Sequence, residues 1–571
     1  MSGSSVDDGR WVDELNCTHK VLAELPNRIR CEFVGVYLGL VQQFIDGSLM
    51  NGAMSLLKTL TNNGVDVCFT NPGTSEMHMV AAMGQSGGMR SILGLFEGVC
   101  TGAADGYGRI AGKPACTLLH LGPGLSNGSA NLHNARKANS PMINLIGDHA
   151  TYHKKYDAPL NSDVIGLAKP VSDWVRSVAD AASLPSDAAD AVVAANIKPG
   201  QIATLIVPAD CAWDESVDPI AQREMPSAPR VNEHSIIKAA EMLGNGKPTV
   251  ILMSNLALTE QSLRFADQVA QHSNARVFCD TFTTRLPRGE GRCSLERLAY
   301  FAEQATKQIA HAEQLITVGT KAPVGFFAYP GKVSEFYPEG CELHALADVH
   351  EDAEAALQGL VAELGAQNQI LRLNTLRHPG LSSGEINPES IARAFSEFLP
   401  VDTIVVDESA TAGFLTYPLT ETAEPHDWLS LTGGSIGYGL PASIGAAVAR
   451  PEAKVVCLHG DGGAMYTIQS LWTMAREQLD ICIVIFANRK YQILQIELAR
   501  VGAQSMNKKT LDMLDLSNPD LDFVGLANSM GVAGYKATTA EEFNLLFERA
   551  MKEPGPRLIE AILDVDVSGL G

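Results

Sequence analysis

The sequence KVVCLHGDGG at residues 454–463, followed by IVIFAN at residues 483–488, decides the fold of this chain. Residues 454–458 form a short apolar run that predicts a buried strand, and residues 464–478 have the spacing of apolar positions that is typical of a helix. The run at 481–486 predicts the next strand. A strand–helix–strand unit of this kind is wound right-handed, so its two parallel strands end at the same edge of a sheet.

Two oxygen-bearing side chains follow these strands, Asp461 after the first and Asn488 after the second. Because the strands end together, we expect the carboxylate and the amide oxygen to lie side by side, where they suit a hard cation such as magnesium. Gly462 and Gly463 let the backbone approach a ligand closely, and the helix that follows points its N-terminus at a phosphate. The unit therefore predicts a magnesium site that bridges the protein to a diphosphate. An ordinary turn between strand and helix is the alternative.

The Gly-Asp-Gly sequence and the later Asn488 resemble the motif of the thiamine diphosphate-dependent enzymes. The family usually has an asparagine where this chain has Ala487, but the metal ligand of the motif is the second asparagine, which is present. The resemblance implies that the metal is held by Asp461, Asn488 and the main-chain carbonyl of Lys490. It also implies that the cofactor is contacted by Gly462, Gly463 and Tyr491.

Glu97 lies in a second motif, LFEGV at 95–99, which continues as AADGYGR at 103–109. This motif resembles the pyrimidine-binding domain of the same family, in which the glutamate binds a ring nitrogen of the aminopyrimidine. A carboxyl group in a dry pocket, bonded to that nitrogen, promotes the imino tautomer, whose nitrogen then removes the thiazolium proton. The alternative is a carboxylate that only stabilises a helix N-terminus. The accompanying sequences NPGTSE at 71–76 and GPG at 122–124 favour the family interpretation.

A third motif is GGSIGYGLPA at 433–442. In the family, a bulky apolar residue at this place wedges between the two cofactor rings and forces a bent conformation. Ile436 matches that wedge, and the carbonyl of Gly434 matches the acceptor for the exocyclic amine. The alternative is a glycine-rich turn that leads into a buried helix. Three motifs occur in the family's order over residues 51–565, so the resemblance covers nearly the whole chain after residue 50.

Length, charge and cysteine usage narrow the class of protein. With 571 residues the chain is too long for one core and predicts about three domains. A formal net charge of −22 argues against nucleic acid or an anionic membrane surface as a partner. The 11 cysteines are scattered without a Cys-x-x-Cys pair, which favours reduced core thiols in a cytoplasmic protein. No run of 18 apolar residues predicts a membrane span.

The predicted organisation is α/β, with three doubly wound parallel-sheet domains after an N-terminal extension. The extension covers 1–49, and its early acidic residues argue against a secretion signal or a transit peptide. The domains are a pyrimidine-binding domain at 50–215, a central domain at 230–365 and a diphosphate-binding domain at 385–571. The central domain has no Gly-x-Gly-x-x-Gly loop, which argues against FAD. The resemblance implies a homodimer or homotetramer with active sites at the subunit interface.

The subclass depends on His120, in LLHLGPG at 118–124. It matches an active-site histidine of benzoylformate decarboxylase, and Thr74 matches a small hydroxyl residue that contacts the substrate there. Phe326 stands where that enzyme has a second histidine, and Leu494 stands where pyruvate decarboxylase has a glutamate. We therefore expect an apolar substrate pocket lined by Phe326, Ile493 and Leu494, with His120 as the main proton carrier. A structural histidine at a strand end is the alternative.

The resemblance implies a magnesium- and thiamine diphosphate-dependent decarboxylase or carboligase that acts on a small 2-oxo acid, acetolactate synthase-like. One alternative is cleavage of a 2-hydroxyacyl- or oxalyl-coenzyme A thioester, which needs a long basic groove and is disfavoured by the acidic charge balance. Another is a non-catalytic homologue that only binds the cofactor. Retention of Glu97 disfavours it, because a scaffold does not need the activating carboxylate.

Overall fold

Apolar runs separated by glycine-rich turns build the first sheet. The computed structural model describes residues 50–502 and 507–564, and the extension predicted at 1–49 lies outside these residues. The six parallel strands of this sheet are β1 Val67–Asn71, β2 Arg90–Leu93, β3 Ala115–His120, β4 Met142–Asp148, β5 Trp174–Ser177 and β6 Ile202–Pro208. In the sheet they lie in the order β2-β1-β3-β4-β6-β5. The helices are Gly52–Asn62, Met77–Ser86, Glu97–Ala111, Leu121–Lys137, Val164–Ala168, Leu184–Ala195 and Ala209–Trp213, with short 3₁₀ turns at Thr74–Glu76 and Lys154–Tyr156.

Both faces of this sheet are buried, as the nearly continuous apolar strands predict. Leu118 and Leu145 pack into one core, whereas the next residues along the same strands, Leu119 and Ile146, pack into the other. Successive side chains of a strand point to opposite faces, so each strand supplies both cores. The sheet is therefore covered by helices on both faces.

The central sheet has five parallel strands in the order β10-β8-β7-β11-β12. They are β7 Thr249–Met253, β8 Arg276–Cys279, β10 Glu296–Arg297, β11 Gln314–Val318 and β12 Glu342–Ala347. The helices are Glu233–Gly244, Glu260–Ser273, Ala302–Ile309 and Ala353–Leu364, with a 3₁₀ turn at Asn255–Leu258.

The third sheet has seven strands in the order β17-β18-β16-β15-β13-β14-β9. They are β9 Leu286–Arg288, β13 Thr403–Glu408, β14 His426–Ser430, β15 Val455–Gly460, β16 Ile481–Ala487, β17 Ala533–Ala537 and β18 Arg557–Ile562. The helices are Pro388–Phe398, Thr416–Leu419, Gly439–Ala449, Asp461–Ala464, Ser470–Arg476, Gln492–Arg500, Lys508–Asp512, Phe523–Ser529 and Ala540–Lys552. Only β9 is antiparallel among these seven; it comes from the segment predicted to be central and covers the edge strand β14.

The helix predicted over 464–478 is interrupted. Helix Asp461–Ala464 is followed by turns, and a second helix begins only at Ser470. Thr467 lies in the interruption, where its hydroxyl donates to the carbonyl of Gly437 at 3.0 Å. The chain is not helical here, and the Thr467 side chain bonds to a loop 30 residues away in sequence. The spacing of apolar residues carries no information about such a contact.

Two helices join the first and third sheets, Glu97–Ala111 and Gly439–Ala449. A Cβ atom at Gly106 would lie 2.1 Å from the carbonyl oxygen of Ala442, and one at Gly445 would lie 1.8 Å from that of Ala103. The two backbones therefore touch only because both positions are glycine. This contact fixes the third motif, which leads into the second helix, against the first domain.

Within residues 50–502 and 507–564, no helix is both long and apolar enough to span a membrane.

Candidate active site

His120 is the last residue of β3, and helix Leu121–Lys137 begins at the next residue. No loop separates the strand from the helix, and Leu121 has a φ of 45°, in the left-handed region that side chains rarely adopt. The ring of His120 lies against the turn at 71–76, since a Cβ atom at Gly73 would be 2.3 Å from its Cγ atom. The structure thus brings Thr74, the predicted substrate contact, to the neighbourhood of His120.

Glu76 is the partner of this histidine. Its carboxylate is fully buried, and Oε2 lies 2.8 Å from His120 Nδ1. The backbone N–H of Gly73 donates to Oε2 at 2.7 Å, and the Ser75 hydroxyl donates to Oε1 at 2.6 Å. Space for the carboxylate exists because Gly147, beside His120 in the next strand, has no side chain; a Cβ atom there would be 1.7 Å from Oε1.

This contact orients the imidazole. A hydrogen on Nδ1 would donate to the Glu76 carboxylate and leave Nε2 to exchange a proton. The side chain of His120 is 21% exposed, which keeps the ring accessible. Sequence reasoning quoted Glu76 within its motif but gave it no role. The signal that was available is an acidic residue two positions after Thr74.

Glu97 is the first residue of helix Glu97–Ala111, at the end of a turn beside β2. Its Oε2 accepts a hydrogen bond from Asn127 Nδ2 at 3.0 Å. The position at a helix N-terminus is the one that the alternative interpretation requires, and it is equally compatible with a carboxylate presented to a ligand.

Asp461 follows β15 directly, and the residue is only 5% exposed. Oδ1 accepts from the N–H of Gly462 at 2.8 Å, and Oδ2 accepts from the N–H of Arg489 at 2.6 Å. Burial raises the pKa of Asp461 above its usual range, and these backbone hydrogen bonds oppose the rise only in part. Within the described residues no side-chain cation pairs with Asp461.

Asn488 follows β16 at the same edge, as predicted. Its Nδ2 donates to Gln492 Oε1 at 2.9 Å, and its Oδ1 accepts from the N–H of Lys490 at 3.2 Å. The ring of Tyr491 covers Gly462, where a Cβ atom would be 2.3 Å from the ring. A carboxylate, an amide oxygen and the Lys490 carbonyl are hard oxygen donors, which fit a magnesium ion.

The loop at 433–437 is exposed at its tip and anchored at its base. Ile436 is 36% exposed, and Gly434 has a φ of 73°. Three side chains of helix Leu121–Lys137 hold this loop. His133 contacts the carbonyl of Gly433, Asn134 bonds to the backbone of Ser435, and Asn131 donates to the carbonyl of Gly437. Asn131 also donates to the carbonyl of Gly98 in helix Glu97–Ala111. Sequence reasoning did not identify these contacts.

The three residues of the predicted apolar pocket are on or beside one helix. Ile493 and Leu494 belong to Gln492–Arg500, and Leu494 is 47% exposed. Phe326 stacks on Tyr300 with ring centroids 5.2 Å apart, and it lines a small cavity together with Glu497 and Arg500 of the same helix. This cavity carries charged groups and does not unite the three predicted pocket residues.

The first and third sheets meet beside these groups. Asn131 donates to the carbonyl of Gly98, next to Glu97, and to the carbonyl of Gly437, next to Ile436. We call the residues at the edge of the first sheet and those at the edge of the third sheet the two half-sites.

Comparison with known proteins relates both half-sites to one family. Residues 50–167 match the N-terminal TPP binding domain of thiamine pyrophosphate enzymes, and residues 411–561 match the C-terminal TPP binding domain. A Mycobacterium tuberculosis chain provisionally named acetolactate synthase large subunit IlvX is 49% identical over 515 residues, which is 90% of this chain and 99% of its own length. The chain belongs to the thiamine pyrophosphate enzyme family. Thiamine pyrophosphate is the compound also called thiamine diphosphate, so the predicted family is confirmed.

More distant relatives divide between two activities. Benzoylformate decarboxylase of Pseudomonas aeruginosa is 26% identical, over 88% of this chain and 96% of its own. Acetolactate synthase isozyme 2 large subunit of Escherichia coli is 25% identical, over 90% of this chain and 96% of its own. The solved 4-hydroxybenzoylformate decarboxylase of Rhodococcus jostii superposes with a TM-score of 0.80, at 24% identity, over 91% of this chain and 100% of its own. This likeness confirms the predicted fold of three parallel-sheet α/β domains.

Proposed function

We propose that this enzyme is a magnesium- and thiamine diphosphate-dependent decarboxylase or carboligase of a small 2-oxo acid, acetolactate synthase-like. The observation that carries the proposal is the pairing of His120 with the buried carboxylate of Glu76 at 2.8 Å. In this pair His120 would transfer protons and Glu76 would fix its tautomer, beside Thr74 at the edge of the first sheet. Names of relatives from both groups, acetolactate synthases and benzoylformate decarboxylases, support the substrate class.

The residues at the third sheet fit the cofactor's metal and diphosphate. Asp461, Asn488 and the carbonyl of Lys490 would hold the magnesium ion, and Asp461 would gain the cation that its buried carboxylate lacks. Gly434 and Ile436 would contact the rings. When bound, thiamine diphosphate supplies the electron sink that makes loss of carbon dioxide from a 2-oxo acid feasible.

The remaining steps belong to the side chains. Glu97 would present its carboxyl group to the aminopyrimidine and control a proton there, and Asn127 orients that carboxyl group through its Nδ2. His120 would hold or deliver a proton at Nε2, while Glu76 fixes the ring. Thr74 would contact the substrate, and Phe326, Ile493 and Leu494 would line an apolar pocket that excludes water.

A panel of 2-oxo acids tests the proposal. Release of carbon dioxide is measured with thiamine diphosphate and magnesium present, with each of the two omitted, and after chelation of divalent ions. Activity should need both compounds, because magnesium anchors the diphosphate of the cofactor. The panel includes an oxalyl thioester and a 2-hydroxyacyl thioester, which represent the alternative lyase activities. Release from at least one 2-oxo acid that needs both cofactors is expected. Cofactor binding without turnover of any compound would indicate the non-catalytic homologue instead.

We further propose that the active site is completed between two subunits of a homodimer or homotetramer. The family resemblance, which implies active sites at the subunit interface, supports this arrangement. In a mixed dimer of Glu97→Gln and Asp461→Ala chains, one of the two sites would contain both intact halves. Co-assembly at equal amounts should therefore restore about a quarter of the activity, whereas each variant by itself should keep about a hundredth or less. No recovery in verified mixed dimers would mean that each site is formed within one chain.

A further inference from the structure

A buried carboxylate that sequence reasoning did not identify lies beneath the third motif. Glu408 is the last residue of β13, and its side chain is 3% exposed. Oε1 accepts from the N–H of Gly437 at 2.6 Å, and Oε2 accepts from the N–H groups of Tyr438 at 2.7 Å and Gly439 at 2.6 Å. Three consecutive backbone donors therefore converge on one side chain, directly after Ile436.

The loop needs such an anchor because its backbone is intrinsically free. Gly434 has a φ of 73° and Gly437 a φ of 94°, so glycine occupies both flanks of the short segment that carries Ile436. Nothing lies within 4 Å of the place where a Cβ atom of Gly434 would be, which leaves that side open. Asn134 holds Ser435 on one side of Ile436 through two hydrogen bonds, and Glu408 holds Gly437–Gly439 on the other side.

The same carboxylate touches the diphosphate motif. His459 is beside Glu408 in the strand register, and its Nε2 lies 3.1 Å from Glu408 Oε2. Gly439 allows this approach, since a Cβ atom there would be 2.9 Å from the ring of His459. Asp461 follows His459 by two residues. Glu408 therefore contacts the loop of the wedge residue on one side and the strand that presents the metal ligand on the other.

We propose that Glu408 is a positioning residue that holds Ile436 in its cofactor-bending place before any cofactor binds. The inference rests on the proposed thiamine diphosphate site and adds a residue to which no role was assigned. The apparent affinity for the cofactor is the intrinsic affinity multiplied by the fraction of molecules whose loop is already in the binding conformation. Glu408 would keep that fraction high through charge-assisted hydrogen bonds.

The first test uses the cofactor-free protein. In Glu408→Gln, the side-chain NH2 group replaces one of the oxygens that accept from backbone N–H groups, so the loop loses part of its anchor. Backbone hydrogen exchange of residues 433–440 should therefore accelerate by about tenfold or more. The matched control is Glu560→Gln, a buried carboxylate of β18 paired with Lys536, which should leave exchange of 433–440 unchanged. This readout needs no turnover, so it stands even if no 2-oxo acid is a substrate. Exchange like that of the unaltered protein would overturn the proposal.

The second test separates positioning from general stability. Calorimetric affinity for thiamine diphosphate with magnesium should fall by about ten- to a hundredfold in Glu408→Gln. If Glu408 acts through the wedge, the loss in the double variant with Ile436→Ala should be clearly smaller than the two single losses combined. Additive losses would overturn the proposal. Should Glu408→Gln not fold, Glu408→Asp is measured in its place, and failure of both to fold would assign Glu408 to the core and also overturn it.

Discussion

Glu76 Oε2 lies 2.8 Å from His120 Nδ1, although 44 residues separate the two in the chain. The carboxylate is fully buried and holds backbone and hydroxyl donors on its other sides, so it is oriented before the histidine meets it. A carboxylate that accepts from one ring nitrogen is a common way of fixing the orientation and tautomer of a functional histidine.

Glu76→Gln should reduce turnover of the best 2-oxo acid by about ten- to a hundredfold with cofactor binding intact. The amide can donate to Nδ1 and so permit the wrong tautomer of His120. Turnover and calorimetric cofactor affinity are measured together. Glu560→Gln is the control, because it changes a buried carboxylate of β18 that pairs with Lys536. Equal turnover of the two Gln variants would contradict the role of Glu76.

His120→Ala should bind cofactor normally and lose about two to four orders of magnitude in turnover. No second histidine replaces it at position 326, where the chain has a phenylalanine. The pH profile of kcat should also lose a limb near neutrality. His311→Ala, an exposed histidine in a turn of the central region, serves as the control. An unchanged rate and profile would make His120 structural.

Glu97→Gln should still bind thiamine diphosphate but lose activity by about a hundredfold or more, as expected when an acid–base partner is removed. Hydrogen–deuterium exchange at the thiazolium carbon should slow in parallel, and NMR of the quenched cofactor measures it. Asn127→Ala, which only frees the carboxylate, should have the smaller effect. Persistence of both exchange and turnover would reduce Glu97 to a helix-terminal charge.

Asp461→Ala and Asn488→Ala should each abolish thiamine diphosphate binding at ordinary cofactor concentrations. Each removes one hard oxygen ligand, so the diphosphate charge stays poorly neutralised in a site of low dielectric constant. Calorimetry with and without magnesium measures the loss. Asp520→Ala is the control, since that carboxylate is half-exposed and pairs with Arg489 at the surface. Affinity near that of the unaltered protein in both variants would refute the metal assignment.

His426 should make the fold sensitive to acid. Burial, reinforced by the positive charge of Arg288, lowers the pKa of His426 to about 4. The ring is neutral in the folded state, and Nδ1 donates to the carbonyl of Glu424. The unfolded chain, with a histidine pKa of about 6.5, binds more protons between these values, so stability present above pH 6.5 is lost as the pH falls toward 4.

The linked free energy is about 3 kcal/mol for a shift of this size. Urea unfolding of the cofactor-free protein at pH 7.5 and pH 4.5 measures it. His426→Gln should lose less stability over this range than the unaltered protein, whereas His311→Gln should behave like the unaltered protein. Parallel losses in all three proteins would show that other groups cause the acid sensitivity.

Local sequence determined the strand–helix–strand unit and the meeting of its ends. Residues 455–460 and 481–487 form adjacent parallel strands as predicted, and Asp461 and Asn488 follow them at one edge. Apolar runs flanked by glycine carry this information within about 30 residues, because a buried strand and its crossover are encoded by periodicity and turn chemistry. The start of helix Pro388–Phe398 is encoded locally for the same reason, by Pro388 in its first turn and by the Asn387 cap.

Only the tertiary structure identified Glu76 and Glu408 as parts of the candidate site. The partner of Glu76 is 44 residues away, and the backbone donors of Glu408 are 29 to 31 residues away. The helix predicted through Thr467 is broken for the same reason, since its hydroxyl binds Gly437 on another element. A buried polar group must find its hydrogen-bond partners wherever the packed chain places them, and periodicity within one segment carries no information about that choice.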